Sequence, residues 1–232
     1  MDADTPATAA APAQVPNGWR PQTFAKERAQ SVADPIIEPL WEGERVLVHV
    51  TSEAARLFDA EGDPIEEFPD ISAALAEAAL ASELVIDGYL SRLAAKTSAG
   101  AFTGAVRTPT PGEMATQFVI GQRSTKRAEL AEQQASLPGP DAPVAFVAVD
   151  ILSIDDQPLL AVPLLERKRV LESALTESEL VRLTMFIRPP VGTWFGSWRS
   201  LGFRSVAYKG ANSRYRPGEP NRDWAIAQIP AR

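Results

Sequence analysis

The side chains able to do chemistry are few in kind. The 232 residues include no cysteine and a single histidine, which excludes thiolate catalysis, disulfides and Cys- or His-clustered metal centres. Carboxylates, lysines, arginines and hydroxyls remain. His49 lies inside the apolar run Arg45-Val-Leu-Val-His-Val50, where a packed or edge histidine is expected rather than a general base. Asp155 and Asp156 pair two carboxylates that could hold a cation, but Asp-Asp-Gln-Pro after a strand reads first as a turn. Arg123, Lys126 and Arg127 form a basic cluster that could touch phosphates. The nearby Glu129 and Glu132 make a solvated helix face the simpler reading. Trp194, Phe195 and Trp198, with Gly192 and Gly196 among them, are either core or an exposed aromatic patch for a protein partner.

These groups need a scaffold, and the sequence outlines one. Apolar residues make up 45% and charged residues 23%, as in ordinary globular chains. No apolar run approaches the roughly 18 residues of a membrane span, and the net charge of −7 disfavours non-specific nucleic-acid binding. Residues 1–18 are rich in Ala, Pro and Thr without periodicity and lack a signal-peptide pattern, so they read as a disordered tail of a cytoplasmic protein. Residues 19–232 then form one domain. Strands are expected at 45–50, 54–58, 83–87, 143–150, 181–187, 205–208 and 224–229. Helices are expected at 71–80, 112–136 and from Pro163 to about 175, with Pro163 at the first helical turn. Residues 96–112 read as a loop, Glu61-Gly-Asp-Pro64 as a turn, and Asp87-Gly88 as a turn closing its strand. Gly43, Gly62, Gly88 and Gly218 are assigned to turns. The class is α+β.

In order and spacing, several strand ends resemble the nucleotidyltransferase domain of ATP-dependent DNA ligases and mRNA capping enzymes. The family opens with Glu-x-Lys-x-Asp-Gly-x-Arg; here stands Glu38-Pro-Leu40-Trp41-Glu42-Gly43-Glu-Arg45. Arg56-Leu-Phe-Asp59-Ala60-Glu-Gly62 and Phe68-Pro-Asp-Ile71 follow, then Leu84-Val-Ile-Asp87-Gly88-Tyr89 in place of an apolar strand ending in Asp-Gly-Glu. Phe146-Val-Ala-Val149-Asp150-Ile-Leu152 and Pro163-Leu-Leu-Glu-Arg167 come next. Arg204-Ser-Val-Ala-Tyr-Lys209, Ser213-Arg-Tyr215-Arg-Pro217-Gly218 and Asp223-Trp224-Ala-Ile226-Ala-Gln228 complete the series. The resemblance implies an ATP-grasp-like fold of antiparallel sheets flanked by helices, without the OB-fold that clamps DNA in the ligases.

It also implies a lost reaction. The family's lysine nucleophile attacks the α-phosphate of ATP; its position here is Leu40, which has no lone pair. The family's second carboxylate after Asp-Gly is Tyr89, its adenine-stacking aromatic is Val149, and the glutamate of its fourth motif is Arg204. Its two phosphate-binding lysines are Ile226 and Gln228, and a phosphate- or ribose-binding arginine is Ala60. Glu38, Arg45, Asp87 and Lys209 survive as a remnant nucleotide set. Each has a plainer alternative: Glu38 an exposed carboxylate, Arg45 and Asp87 a pair, Lys209 a solvated cation. The expectation is a ligase-like binding or interaction module without adenylation or strand joining, with no metal site. ATP and Mg²⁺ enter only if the remnant set binds nucleotide. A protein partner at Trp194, Phe195 and Trp198 is expected, a nucleic acid is not. The competing readings are a working nucleotidyltransferase with another lysine and a non-reacting nucleotide sensor.

Overall fold

The chain folds around a seven-stranded sheet whose longest strand, Ala145–Ile154, is buried along nearly its whole length. The computed structural model describes residues 14–25, 28–93 and 142–230. In chain order the strands are β1 (Thr23–Phe24), β2 (Pro35–Pro39), β3 (Glu44–Thr51), β4 (Ala55–Phe58), β5 (Pro64–Ile65), β6 (Glu83–Ser91), β7 (Ala145–Ile154), β8 (Gln157–Pro158), β9 (Val181–Leu183), β10 (Ser205–Gly210), β11 (Pro220–Asn221) and β12 (Trp224–Gln228). The helices are α1 (Pro69–Ala78), α2 (Leu164–Ala174) and α3 (Gly192–Ser200). The expected loop at 96–112, helix at 112–136 and basic cluster Arg123, Lys126, Arg127 lie outside the described residues.

The large sheet runs β5-β4-β3-β6-β7-β8, with β9 pairing β7. Its pairs are antiparallel except β7 with β9. Alternation decides its two faces. Val46, Val48 and Val50 of β3 join Leu84, Ile86, Phe146 and Ala148 on one face, covered by Ile71, Leu75 and Ala78 of α1 and Leu171 and Ala174 of α2. Pro69 starts α1 and Asp70 sits in its first turn, where a missing N–H and a negative charge suit a helix start. The opposite face carries two further apolar clusters. One gathers Leu47, Phe58, Val85 and Leu152 with Ile36, Leu164, Tyr215 and Trp224. The other gathers Ala145, Val147 and Val149 with Ile37, Trp41, Met185, Trp198, Phe203 and Val206.

A small antiparallel sheet, β12-β10-β2, packs against that opposite face. Ile37 and Ile187 exchange backbone hydrogen bonds of 2.8 and 2.9 Å, tying β2 of the small sheet to the segment that follows β9 of the large one. The architecture is the expected α+β arrangement of mainly antiparallel sheets flanked by helices.

Several boundaries differ from the sequence reading. Asp87-Gly88 is not a turn: β6 runs through it to Ser91. Gly88 is there because β6 and β7 are close; a Cβ would lie 2.3 Å from Phe146 Cε2 and 2.5 Å from the Val147 carbonyl oxygen. Gly43, Gly62 and Gly218 do have positive φ. Part of the assigned tail is folded, since Val15 is buried among Ile36, Tyr215 and Trp224. Pro163 is the N-cap of α2 rather than its first turn. The strand expected over 181–187 stops at Leu183, although Ile187 still bridges to Ile37. Residues 192–200 form a helix absent from the sequence reading. Asp155 and Asp156 make the expected turn between β7 and β8, both at positive φ as a two-residue hairpin demands. Asp155 Oδ1 accepts from the Ser82 and Glu83 amides at 2.9 and 3.1 Å. No helix among the described residues is long and apolar enough to cross a membrane.

Candidate functional site

A band of charged side chains lies between the two apolar clusters of the sheet face covered by β2 and β10. At one end, Arg45 of β3 meets Asp87 of β6. Its Nε and Nη2 donate to the two carboxylate oxygens at 2.5 Å each, and its Nη1 donates to the Tyr89 hydroxyl at 2.5 Å. Tyr215 donates a further hydrogen bond to Asp87 Oδ2 at 2.6 Å and accepts one from the Gln22 amide. Burial alone would lower the Arg45 pKa, but Asp87 holds it well above its ordinary value. Burial and the Asp87 charge push the Tyr215 hydroxyl well up. Both groups therefore keep their protons throughout the neutral range.

In the middle, Arg167 of α2 forms a two-pronged pair with Asp150 of β7, both bonds 2.8 Å. Its remaining Nη1 donates to the carbonyls of Val162 and Ser213. At the far end, Glu38 of β2 lies between two lysines. Lys168 of α2 places Nζ 2.5 Å from Oε1, and Lys209 of β10 donates to Oε2 at 2.8 Å. Lys168 also donates to the Val149 carbonyl at 2.6 Å, and Lys209 lies 4.3 Å from the centre of the Trp224 ring. Glu38, Lys168 and Lys209 are each only 2% exposed. Burial raises the Glu38 pKa, and the two ammonium groups overcome that to leave it below its ordinary value. Burial and the neighbouring Lys209 charge lower the Lys168 pKa, against the pull of Glu38 and Asp150.

The structure thus brings Glu38 and Lys209 together, and separately Arg45 and Asp87. Glu38 is not an exposed carboxylate and Lys209 is not solvated; each neutralises the other inside the protein. Lys168 belongs to the same cluster and is missing from the sequence reading. Its signal was available: Leu164, Lys168, Leu171 and Leu175 recur at helical spacing, with a lysine in a core position. Leu40 follows β2 and is half-buried, its amide donating to the Ser205 carbonyl at 3.0 Å. Trp41 donates its indole N–H to Thr184 at 2.9 Å and packs edge-on to Phe203. Trp198 is core at 1% exposed, so it cannot contribute to a partner surface; Trp194 and Phe195 are half-buried beside it. His49 has a partner, with Nε2 2.6 Å from Glu83 Oε1.

The family model of the ATP-dependent DNA ligase domain matches residues 22–225. The chain belongs to that family. Among curated relatives, DNA ligase 1 of Methanosarcina barkeri is 26% identical over 212 residues, covering 88% of this chain and 36% of the relative. A DNA ligase of Pyrobaculum arsenaticum is 25% identical over 194 residues, covering 82% and 30%. This ligase-family chain therefore spans about a third of the length of the curated ligases it matches. Among solved structures, the ligase domain of Mycobacterium tuberculosis LigD superposes with a TM-score of 0.61 at 22% identity, over 92% of this chain and 60% of that one. A mycobacterial DNA ligase D complexed with ATP and MES gives 0.57 at 21% identity, over 89% and 58%.

The Leu40 side chain carries no lone pair and the Arg204 side chain no oxygen, so the first cannot attack a phosphate and the second cannot ligate Mg²⁺. Among the described residues no group of three or more His, Asp or Glu side chains is placed to hold a metal ion.

Proposed function

We propose that this ligase-family domain is a non-catalytic module, having exchanged its adenylation chemistry for a cleft whose lysines are engaged internally, and that it acts by binding a partner. One observation carries the reading. The only lysines among the described residues are Lys168 and Lys209, and both are held on the buried Glu38 carboxylate. An amine so engaged is not free to attack a phosphate, and the matching position on the chain after β2 is Leu40. The half-buried Trp194 and Phe195 on α3 are the surface this reading assigns to a protein partner, without Trp198. That the relatives are named DNA ligases supports a setting beside DNA joining, by family analogy alone.

The test is incubation of the full chain with ATP and Mg²⁺ followed by intact-mass analysis. The expected spectrum carries no AMP adduct. An adduct lost on Lys168→Arg or Lys209→Arg would overturn the reading in favour of a working nucleotidyltransferase. That alternative draws support from the lowered pKa of Lys168, since a neutral amine is the nucleophilic form. A calorimetric titration with ATP distinguishes the sensor: saturable heat, weakened in Arg45→Gln and Lys209→Gln, would establish nucleotide binding without reaction.

A further inference from the structure

The charges inside this protein do not balance. Arg167, Lys168, Arg182 and Lys209 are buried, against the carboxylates of Glu38, Asp87 and Asp150; Arg45, 14% exposed, adds another positive charge beside Asp87. Arg45 is matched by Asp87 and Arg167 by Asp150. Lys168 and Lys209 share Glu38. Arg182 is left over.

Arg182, on β9, is 3% exposed. Its Nε and Nη1 are buried with no hydrogen-bond partner among the described residues. A buried guanidinium without a counter-charge is strongly unfavourable, and arginine cannot relieve the problem by losing its proton. Its place on the sheet is fixed by register. Arg45 is opposite Tyr89, Tyr89 opposite Val147, and Val147 opposite Arg182. The four side chains therefore form one row on the same face. Three strand spacings separate Arg182 from Arg45 by roughly 14 Å, and the Asp87 carboxylate is taken up by Arg45 and Tyr215. Val181 and Leu183 point to the other face, against the α1 side of the core.

We propose that Arg182 anchors a binding site for a small doubly charged oxyanion, a phosphate group either free or as a monoester. The guanidinium supplies charge-assisted hydrogen bonds along one edge of its planar fork, where Nε or Nη1 acts together with Nη2, and Val147 supplies an apolar neighbour. The anion supplies the counter-charge that Arg182 lacks. The site stands apart from the Glu38 cluster and does not depend on whether that cluster has lost its chemistry.

The experiment uses the full chain in phosphate-free Tris buffer, with inorganic phosphate, ribose 5-phosphate and acetate as probes in calorimetry and thermal melting. Saturable heat from inorganic phosphate or from ribose 5-phosphate is expected, together with a melting temperature that rises with probe concentration; which probe saturates tells the free anion from the ester. Acetate binds at least tenfold more weakly. Arg182→Met, of similar length, removes the heat and the thermal shift, while its circular dichroism matches wild type. Arg182→Lys keeps the charge but not the planar set of donors, and its affinity falls at least fivefold. The proposal is overturned if neither phosphate probe shifts the wild type, if Arg182→Met shifts equally, if acetate binds as tightly, or if the lysine variant is unchanged. The ATP adduct test addresses the Glu38 cluster and Leu40, so the two readings fail separately.

Discussion

Replacing Glu38 by glutamine tests whether the cleft is closed by its own charges. Glutamine keeps the shape and one carbonyl acceptor, so the change removes charge and little else. Lys168 and Lys209, both 2% exposed, would then face each other with no carboxylate between them. Removing one member of a buried ion cluster costs about 3–5 kcal/mol, mostly from the stranded partners. With about 2–4 °C of melting temperature per kcal/mol at this size, the expected fall is roughly 10 °C. Urea unfolding followed by tryptophan fluorescence should show a lower midpoint with an unchanged slope. The combined variant Glu38→Met, Lys168→Met, Lys209→Met removes all three charges and should recover most of the loss, because apolar replacements of whole buried ion clusters are tolerated. A loss below about 1 kcal/mol for Glu38→Gln, the value of solvent-exposed pairs, would mean the three groups are hydrated and the cleft is open. That result would refute the closed-cleft reasoning.

Other expectations concern acid, packing and the aromatic helix. The Glu38 and Asp150 pKa values are lowered on folding by their cationic partners, so folding binds fewer protons at these sites than the unfolded chain does. Their stabilisation is complete above the ordinary carboxylate range of about pH 4 to 4.5 and is lost as pH falls through the folded-state values. Melting temperature measured from pH 7 to pH 2.5 should decline below that range, and Asp150→Asn should flatten the decline. Gly88→Ala should destabilise by about 1–3 kcal/mol through overpacking against Phe146 and the Val147 carbonyl, read from a urea midpoint. Trp198→Ala should cost about 3–5 kcal/mol as a core truncation, whereas Trp194→Ala, on a half-buried side chain, should cost clearly less in the same assay.

The longer strands of the large sheet were legible because each carries its own pattern, whereas β2, which bears Glu38, the two-residue strands and α3 were not read. The valines of β3, the continuous apolar run of β7 and the Ala/Leu spacing of α1 are local signals, and the motif order added the family. What the sequence withheld was pairing. Glu38 looks like an exposed carboxylate until β10 brings Lys209 and α2 brings Lys168 onto it from far along the chain. Asp87-Gly88 looks like a turn because Asp-Gly favours one, and only the closeness of Phe146 explains a glycine in mid-strand. The mutual pairing of Arg45 and Asp87 was visible as an alternative, since both sit at strand positions of one sheet. Arg182 carried no signal, because an unmatched charge is recognised only once every other charge has found its partner.

The pairing of β2 with β10 has a consequence during synthesis. Glu38 is aligned with Ala207, about 170 residues later, and contacts so distant along the chain form late. At ribosomal rates of 5–20 residues per second, β2 waits roughly 10–30 s for its partner strand to be made. Through that interval Ile36 and Ile37, both fully buried in the finished fold, are exposed beside an unpaired backbone edge. The nascent chain therefore carries this apolar pair without its β-sheet cover until residues 205–210 emerge.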